Sequence, residues 1–313
     1  MRAAFIRQLT TMALGDPRIH VILPDIGVFA FKQAGFPGEQ THNVGICEQL
    51  SINLASGMTI GAIGETLGAN KKIPFSYTIA PFLLERAFEQ IKMACYNNLP
   101  IKIVGVGAGL TYSHEGPTHH SLNDIALMRS LPNMVVYSPC SSEETALLTQ
   151  EMVNNCKPSY IRLTEKPTQK YDYQYSEFRP ISCVRYSSLP EVVIITTGGI
   201  IGNVLQAVDE IDKSFMFSVY SVSQLRPLKY GDLDFEAIFK GSKKIITVEE
   251  HGIGGLGSII AELMQLCCAK GDLYTAYVQQ DFCLITGTRE EVLQWAGLTV
   301  DKLKEFFKCI AVL

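Results

Sequence analysis

Residues 73–106 read IPFSYTIAPFLLERAFEQIKMACYNNLPIKIVGV. Ile73 to Tyr77 is a short apolar and aromatic run, helical spacing extends from about Pro81 to Tyr96, and a second apolar run, Ile101 to Val106, follows Leu99-Pro100. A strand, a helix and a strand in succession make a βαβ unit, whose two strands lie parallel. The same alternation continues on both sides. Upstream, residues 3–14 have helical spacing closed by Asp16-Pro17, His20 to Pro24 reads as a buried strand, and Asn43-Val44-Gly45-Ile46 is a second strand-like run before a helix over Cys47 to Met58. Downstream come a long loop containing His114 and His119, a strand over Met134 to Tyr137, a helix over Glu143 to Asn155, and Ser159 to Leu163 as the last strand of this unit. The pattern predicts an α/β fold with a doubly wound parallel sheet.

After Glu165 the composition shifts to EKPTQKYDYQYSEFRP, which has no sustained period and reads as a linker with an irregular strand. A second α/β series then begins: VVIITTGG, a helix through about 201–212, FMFSVYSV, a short helix near 232–239, KKIITVEE, GIGGLGSIIAELMQLCC, YTAYVQQ and a closing helix at 300–308. The predicted organisation is a domain over 1–165, a linker over 166–189, and a second doubly wound domain with a mostly parallel sheet over 190–313.

At 313 residues, 47% hydrophobic and 19% charged, the chain has material for two cores, and small stapled folds and disorder are excluded. A formal charge of −4 leaves no basic footprint for nucleic acid or for an anionic membrane surface. Nine cysteines, an odd number with no CxxC pair, argue against a disulfide framework or a structural zinc site and fit a reducing cytoplasm. Arg2 and Arg7 interrupt the apolar pattern of the first residues, which is not that of a secretory signal. No run approaches the roughly 18–20 apolar residues of a membrane span.

Three features are candidates for chemistry. Tyr112-Ser113-His114-Glu115-Gly116-Pro117-Thr118-His119-His120 concentrates three of the six histidines in a loop after a predicted strand, where open α/β sheets bind ligands. A solvated loop is the plainer reading, and no cysteine is near enough in sequence to complete a zinc site. Glu48 opens a helix of small and apolar residues; a capping glutamate is the plainer reading, a carboxylate held for catalysis the sharper one. Gly252, Gly254 and Gly257 form a G-x-G-x-x-G between a strand and a helix. The preceding Glu249-Glu250 would set negative charge beside a pyrophosphate, which favours a tight packing turn over a dinucleotide site.

Taken together, these segments resemble the carboxy-terminal half of transketolase. NVGICEQLSINLASG (43–57) is similar to the family's glycine-x-x-glutamate segment, FSYTIAPFLLERAFEQI (75–91) to its phenylalanine–arginine–alanine helix, and VGVGAGLTYSHEGPTHHSLNDIALMRSLPN (104–133) to its most specific stretch. VEEHGIGGLGS resembles the family's carboxy-terminal domain, which makes the glycine pattern a structural turn. Deoxyxylulose-phosphate synthase shares these motifs. The beta subunits of 2-oxo acid dehydrogenases share the glutamate segment but not the EGPTHH-type loop.

The resemblance implies transfer of a two-carbon ketol unit between sugars with thiamine diphosphate as cofactor. Glu48 matches the glutamate that hydrogen-bonds N1′ of the aminopyrimidine, Phe82 the aromatic ring that stacks on it, and His119 a histidine facing the substrate's oxygens. Glu115 stands where transketolases carry aspartate, Gly107 where they have another substrate histidine, and Glu165 where an arginine grips the acceptor's phosphate. A non-standard sugar, unphosphorylated or nucleotide-linked, is therefore expected, with Arg86 and His114 as replacement contacts. Family members hold the diphosphate through Mg2+ with a Gly-Asp-Gly motif on an amino-terminal domain, and no Gly-Asp-Gly occurs here. The resemblance thus implies a separate diphosphate-binding subunit carrying the Mg2+ ligands, in a heterotetramer of two plus two. A 2-oxo acid dehydrogenase beta-type or deoxyxylulose-phosphate-synthase-like subunit, and a non-catalytic scaffold keeping the fold, are the alternatives.

Overall fold

The computed structural model describes residues 1–60, 71–164, 177–188, 190, 192–211, 215–228, 238–239, 244–278 and 281–313. Six parallel strands, β1 (Ile19–Leu23), β2 (Thr41–Asn43), β3 (Ile73–Ile79), β4 (Lys102–Val106), β5 (Val135–Tyr137) and β6 (Ser159–Leu163), form a sheet in the order β5-β6-β4-β3-β1-β2. The helices are α1 (Arg2–Gly15), α2 (Val28–Gln33), α3 (Glu48–Ile60), α4 (Ala80–Arg86), α5 (Phe88–Tyr96), α6 (Asp124–Arg129) and α7 (Ser142–Asn154).

Every residue of β1, β4, β5 and β6 is buried, as a parallel sheet covered on both faces requires. The period of two divides them. Val21, Leu23, Val104 and Val106 share a core with Phe5 and Leu9 of α1 and Leu148 and Met152 of α7. Ile22 and Ile103 point the other way, onto Ile52 and Ala55 of α3 and Leu83 and Leu84 of α4. Each such side chain contributes about 1.5–3 kcal/mol on burial. From β1 the chain turns to β2 on one side, then crosses to β3 on the other. The crevice at the carboxyl ends of β1 and β3 is therefore the switch point of the sheet, where open α/β folds bind ligands.

The second series contributes strands β7 (Ile181–Arg185), β8 (Val192–Thr196), β9 (Phe217–Val222), β10 (Gln224–Arg226), β11 (Lys244–Val248) and β12 (Asp272–Ala276). All but β10 form a second sheet in the order β12-β11-β8-β9-β7, parallel except for β7, which runs antiparallel to β9. Helices α8 (Ile201–Glu210), α9 (Leu256–Leu266), α10 (Arg289–Ala296) and α11 (Val300–Val312) accompany it. Both sheets thus have the predicted class. Ile125 and Met128 of α6 share an apolar cluster with Leu256, Ile259 and Ile260 of α9, so one core continues from the first unit into the second. Among the described residues no helix is long and apolar enough to cross a membrane.

Four details differ from the sequence expectation. The strand expected at 43–46 ends at Asn43, because Gly45 adopts φ +68° and the Asn43 side-chain oxygen accepts from the Gly45 amide at 3.0 Å, turning the chain toward α3. The helix expected over 81–96 is interrupted at Ala87, without a proline or glycine to mark the break. β6 is not the last strand of its sheet: β10, from the second series, pairs antiparallel with β5. Helices α6 and α10 are too short for a convincing period. The helix expected near 232–239 falls almost wholly outside the described residues.

Candidate active site

Glu48 is placed by the Gly45 turn as the first residue of α3. The Ser51 hydroxyl donates to the Glu48 carbonyl at 2.7 Å and lies 2.8 Å from the Ser76 hydroxyl of β3, which fixes the first turn of α3 to the sheet beside the switch point. The Glu48 carboxylate is buried, and Arg86 Nη1 donates to its Oε1 at 2.9 Å.

Arg86 comes from α4, which starts at Ala80 with Pro81 in its first turn, a position where the missing N–H costs no helical bond. Phe82 and Arg86 are four residues apart, so they share one helix face. The guanidinium carbon sits 4.2 Å from the Phe82 ring centroid. Phe82 meets His119 in a T-shaped contact, with 4.8 Å between centroids and 68° between planes.

His119 belongs to the long loop after β4. Its amide donates to the Gly116 carbonyl at 3.0 Å, its Nδ1 lies 3.0 Å from Thr118 Oγ1, and the Tyr112 ring packs at 5.9 Å. Burial raises the Tyr112 hydroxyl above its ordinary value. Gly107, with φ +73°, lies directly under that ring; a Cβ there would overlap Tyr112. The space beside Gly107 is thus filled by Tyr112, a site residue that the sequence pattern alone does not mark.

The base of the loop is closed by reciprocal backbone hydrogen bonds between Gly109 and Ser121, at 3.0 and 2.9 Å. The second unit braces it. Glu250 accepts from the Leu110 amide at 3.2 Å and from Arg289 Nη2 at 2.5 Å. Asp124 receives the Tyr160 hydroxyl at 2.7 Å and Arg162 Nε and Nη2 at 2.8 and 3.1 Å, while Nη2 also donates to the Glu250 carbonyl at 3.1 Å. Burial alone would raise the Asp124 carboxyl; the charge of Arg162 outweighs it and leaves the group below the usual carboxylate value. Glu250 follows the same pattern, with Arg289 as the principal counter-charge. His251 Nε2 accepts from the Ile125 amide at 3.1 Å, which assigns the ring proton to Nδ1, facing the Gly252 carbonyl at 2.8 Å. Desolvation holds that imidazole below its ordinary value.

Of the candidate residues, the fold brings together Glu48, Phe82, Arg86 and His119. His114 and Glu115 are exposed on the same loop. Glu291 of α10 is held below the usual carboxylate value by hydrogen bonds from Thr288 and by the charge of nearby His114. Glu165 lies outside the described residues. Glu249 accepts from the Leu256 and Gly257 amides at 2.6 and 2.7 Å, so the amino terminus of α9, where a pyrophosphate would sit, is filled by the chain's own carboxylate. Among the described residues no group of three or more His, Cys, Asp or Glu side chains could hold a metal ion.

The buried carboxylate and the aromatic face form a specific kind of seat. It suits a planar group with an N–H or protonatable ring nitrogen on its edge, and the guanidinium now lying there has that character. The donor set therefore fits an aminopyrimidine.

The family model for the transketolase pyrimidine binding domain matches residues 1–170, and that for the transketolase C-terminal domain matches residues 184–303. The chain is 30% identical to an apulose-4-phosphate transketolase subunit of Actinobacillus succinogenes, over 83% of this chain and 81% of that protein. It is 29% identical to the 6-deoxy-6-sulfo-D-fructose transketolase subunit SqwH of Clostridium sp. (strain MSTE9), over 86% of this chain and 81% of that protein. A split gene transketolase solved as an inactive beta4 tetramer superposes with a TM-score of 0.83 at 26% identity, covering 100% of this chain and 98% of that one. The chain belongs to the transketolase family, with that family's pyrimidine-binding and carboxy-terminal domains.

Proposed function

We propose that this chain is the pyrimidine-binding subunit of a split, thiamine-diphosphate-dependent transketolase that moves a two-carbon ketol unit between sugars. The cluster of Glu48, Phe82, Arg86 and His119 at the switch point carries the reading. When bound, the cofactor supplies the nucleophilic carbon that accepts the two-carbon unit. Glu48 holds a proton with N1′ of the aminopyrimidine, Phe82 stacks on that ring, and His119, steadied by Thr118 and Tyr112, moves a proton at the substrate's hydroxyl and carbonyl oxygens. Burial of Glu48 keeps water from that exchange.

A separate subunit supplies the diphosphate and Mg2+ ligands in this proposal, as two plus two chains in the cytoplasm. The naming of both relatives as subunits, and the inactive beta4 assembly of the solved split enzyme, support a site completed by another polypeptide. The substrate is a sugar outside the usual pentose phosphates. Tyr112 fills the space beside Gly107, Glu115 replaces the family's aspartate, and the relatives are named for apulose 4-phosphate and a sulfo-sugar. Exposed His114 and half-exposed Arg86 are side chains available to such a substrate's polar groups.

A Glu48→Ala variant, assayed with its partner subunit for ketol transfer, is expected to lose at least about a hundredfold in rate, the ordinary contribution of a positioned acid–base group. Unchanged transfer would leave a non-catalytic role as the better account.

A further inference from the structure

The proposed seat for the aminopyrimidine is occupied in this structure by one of the chain's own side chains. Arg86 places its guanidinium carbon 4.2 Å from the Phe82 centroid and donates from Nη1 to Glu48 Oε1 at 2.9 Å. A guanidinium and an aminopyrimidine are chemically alike in what they ask of a protein. Both are planar and delocalised, both stack on an aromatic face, and both present N–H groups in the plane toward a carboxylate. The face of Phe82 that Arg86 covers and Oε1 of Glu48 cannot serve both at once, because stacked planes need about 3.5–4 Å each, and the His119 ring already packs against Phe82 at 4.8 Å.

We infer that Arg86 is an internal stand-in for the cofactor's pyrimidine: it keeps Glu48 paired and the seat closed in the unloaded chain, and leaves when the cofactor enters. Two observations beyond the contact itself support this two-position role. The Arg86 side chain is 48% exposed while that of Glu48 is 5% exposed, so the arginine can withdraw into solvent and the carboxylate cannot. The guanidinium makes a single hydrogen bond to Glu48, in contrast to the forked contact that Arg162 makes with Asp124. Once displaced, the guanidinium is a cation within one side chain's length of the seat, suited to an anionic group on a sugar.

This inference rests on the assignment of Glu48 and Phe82 as the pyrimidine seat, and the experiment separates the two. Binding of thiamine diphosphate with magnesium to the full chain together with its partner subunit is measured by calorimetry for the wild type, Arg86→Met, Arg86→Lys and the double variant Arg86→Met/Glu48→Ala. If the arginine leaves the seat open only about a tenth of the time, Arg86→Met binds about tenfold more tightly than the wild type, since apparent affinity scales with the competent fraction. Arg86→Lys, which retains charge but stacks poorly, falls between them. The double variant loses the gain. No gain in Arg86→Met, whether both proteins bind equally or neither binds measurably, overturns the stand-in role. A gain that persists in the double variant instead overturns the seat itself. A melting temperature of the unliganded Arg86→Met chain close to that of the wild type establishes that the comparison is between folded proteins.

Discussion

Two arginine–carboxylate pairs stand at the heart of this protein and differ in every respect except chemistry. Arg162 and Asp124 are each 1% exposed, joined by two hydrogen bonds, and surrounded by further partners in Tyr160 and the Glu250 carbonyl. Arg86 and Glu48 share one hydrogen bond, and the arginine is open to solvent. The first pair is enclosed by the protein on every side. The second leaves one aromatic face and one carboxylate available to something that can replace a guanidinium. A wholly buried pair held by a fork of hydrogen bonds marks a structural joint, and a half-exposed pair held by a single bond at a sheet's switch point marks a site.

The sharpest way to break this comparison is to remove Arg162. Arg162→Met leaves Asp124 buried without its counter-charge, and takes from Glu250 one of its two neighbouring guanidinium groups. The expected loss is about 3–5 kcal/mol, read as a shift in the urea midpoint. A loss below about 1 kcal/mol would mean that the two pairs do not differ in kind. Gly107→Ala comes next. Its Cβ overlaps the Tyr112 ring in a left-handed backbone, so about 2–3 kcal/mol is expected, together with reduced ketol transfer as Tyr112 is pushed against His119. Intact activity would show that the loop can move without consequence for the site.

How much of this is legible in the sequence depends on how far apart the interacting residues lie. α1, β1, α3, β3 and β4 are legible locally, the helices from the spacing of their apolar residues and the strands as short apolar runs. Phe82 and Arg86 are readable as a pair, since four residues on a helix meet by geometry. Glu48 with Arg86, and Tyr112 with Gly107, depend on tertiary placement. Neither contact has a signature in a single chain. The turn at Gly45 hides because Val44 and Ile46 give it a strand's apolarity, and β10 hides because its partner β5 belongs to the other series. The role of Glu249-Glu250 is half visible: their charge disfavours a pyrophosphate on sequence grounds, but only the fold shows Glu250 bracing the loop that carries His119.

Acid tests the closed region from another side. Burial holds His20, His42, His120 and His251 below their ordinary values. The unfolded chain therefore binds more protons than the folded one once pH falls under about 6.5. Stability from these groups is complete above that pH and declines as pH drops toward the folded-state values. For His251, which is wholly buried, the decline amounts to about 1.4 kcal/mol for each unit of depression; for half-buried His42 solvent screening makes it smaller. The urea midpoint should be lower at pH 5.5 than at pH 7.5, about one unit either side of the ordinary histidine value. His251→Gln, which can keep an acceptor for the Ile125 amide while removing the titration, should flatten part of that slope. An equal slope in the variant would place the acid sensitivity elsewhere.

The smallest expected effect is the most discriminating. Arg86→Met removes a partner from a buried carboxylate, the same chemical change as Arg162→Met, yet it should alter the urea midpoint by less than about 1 kcal/mol. Its guanidinium is half in water, so the Coulombic part is screened, and methionine can still lie along Phe82. Glu48 sits at the amino terminus of α3, where the helix dipole supports a carboxylate after the arginine has gone. A loss as large as that of Arg162→Met would make Arg86 a structural joint of the folded chain, and the difference between the two pairs would then lie only in their exposure. A small loss, beside a large one at Arg162, would identify Glu48 as a carboxylate that the fold tolerates without a permanent partner, the state that a site for an exchangeable ring requires.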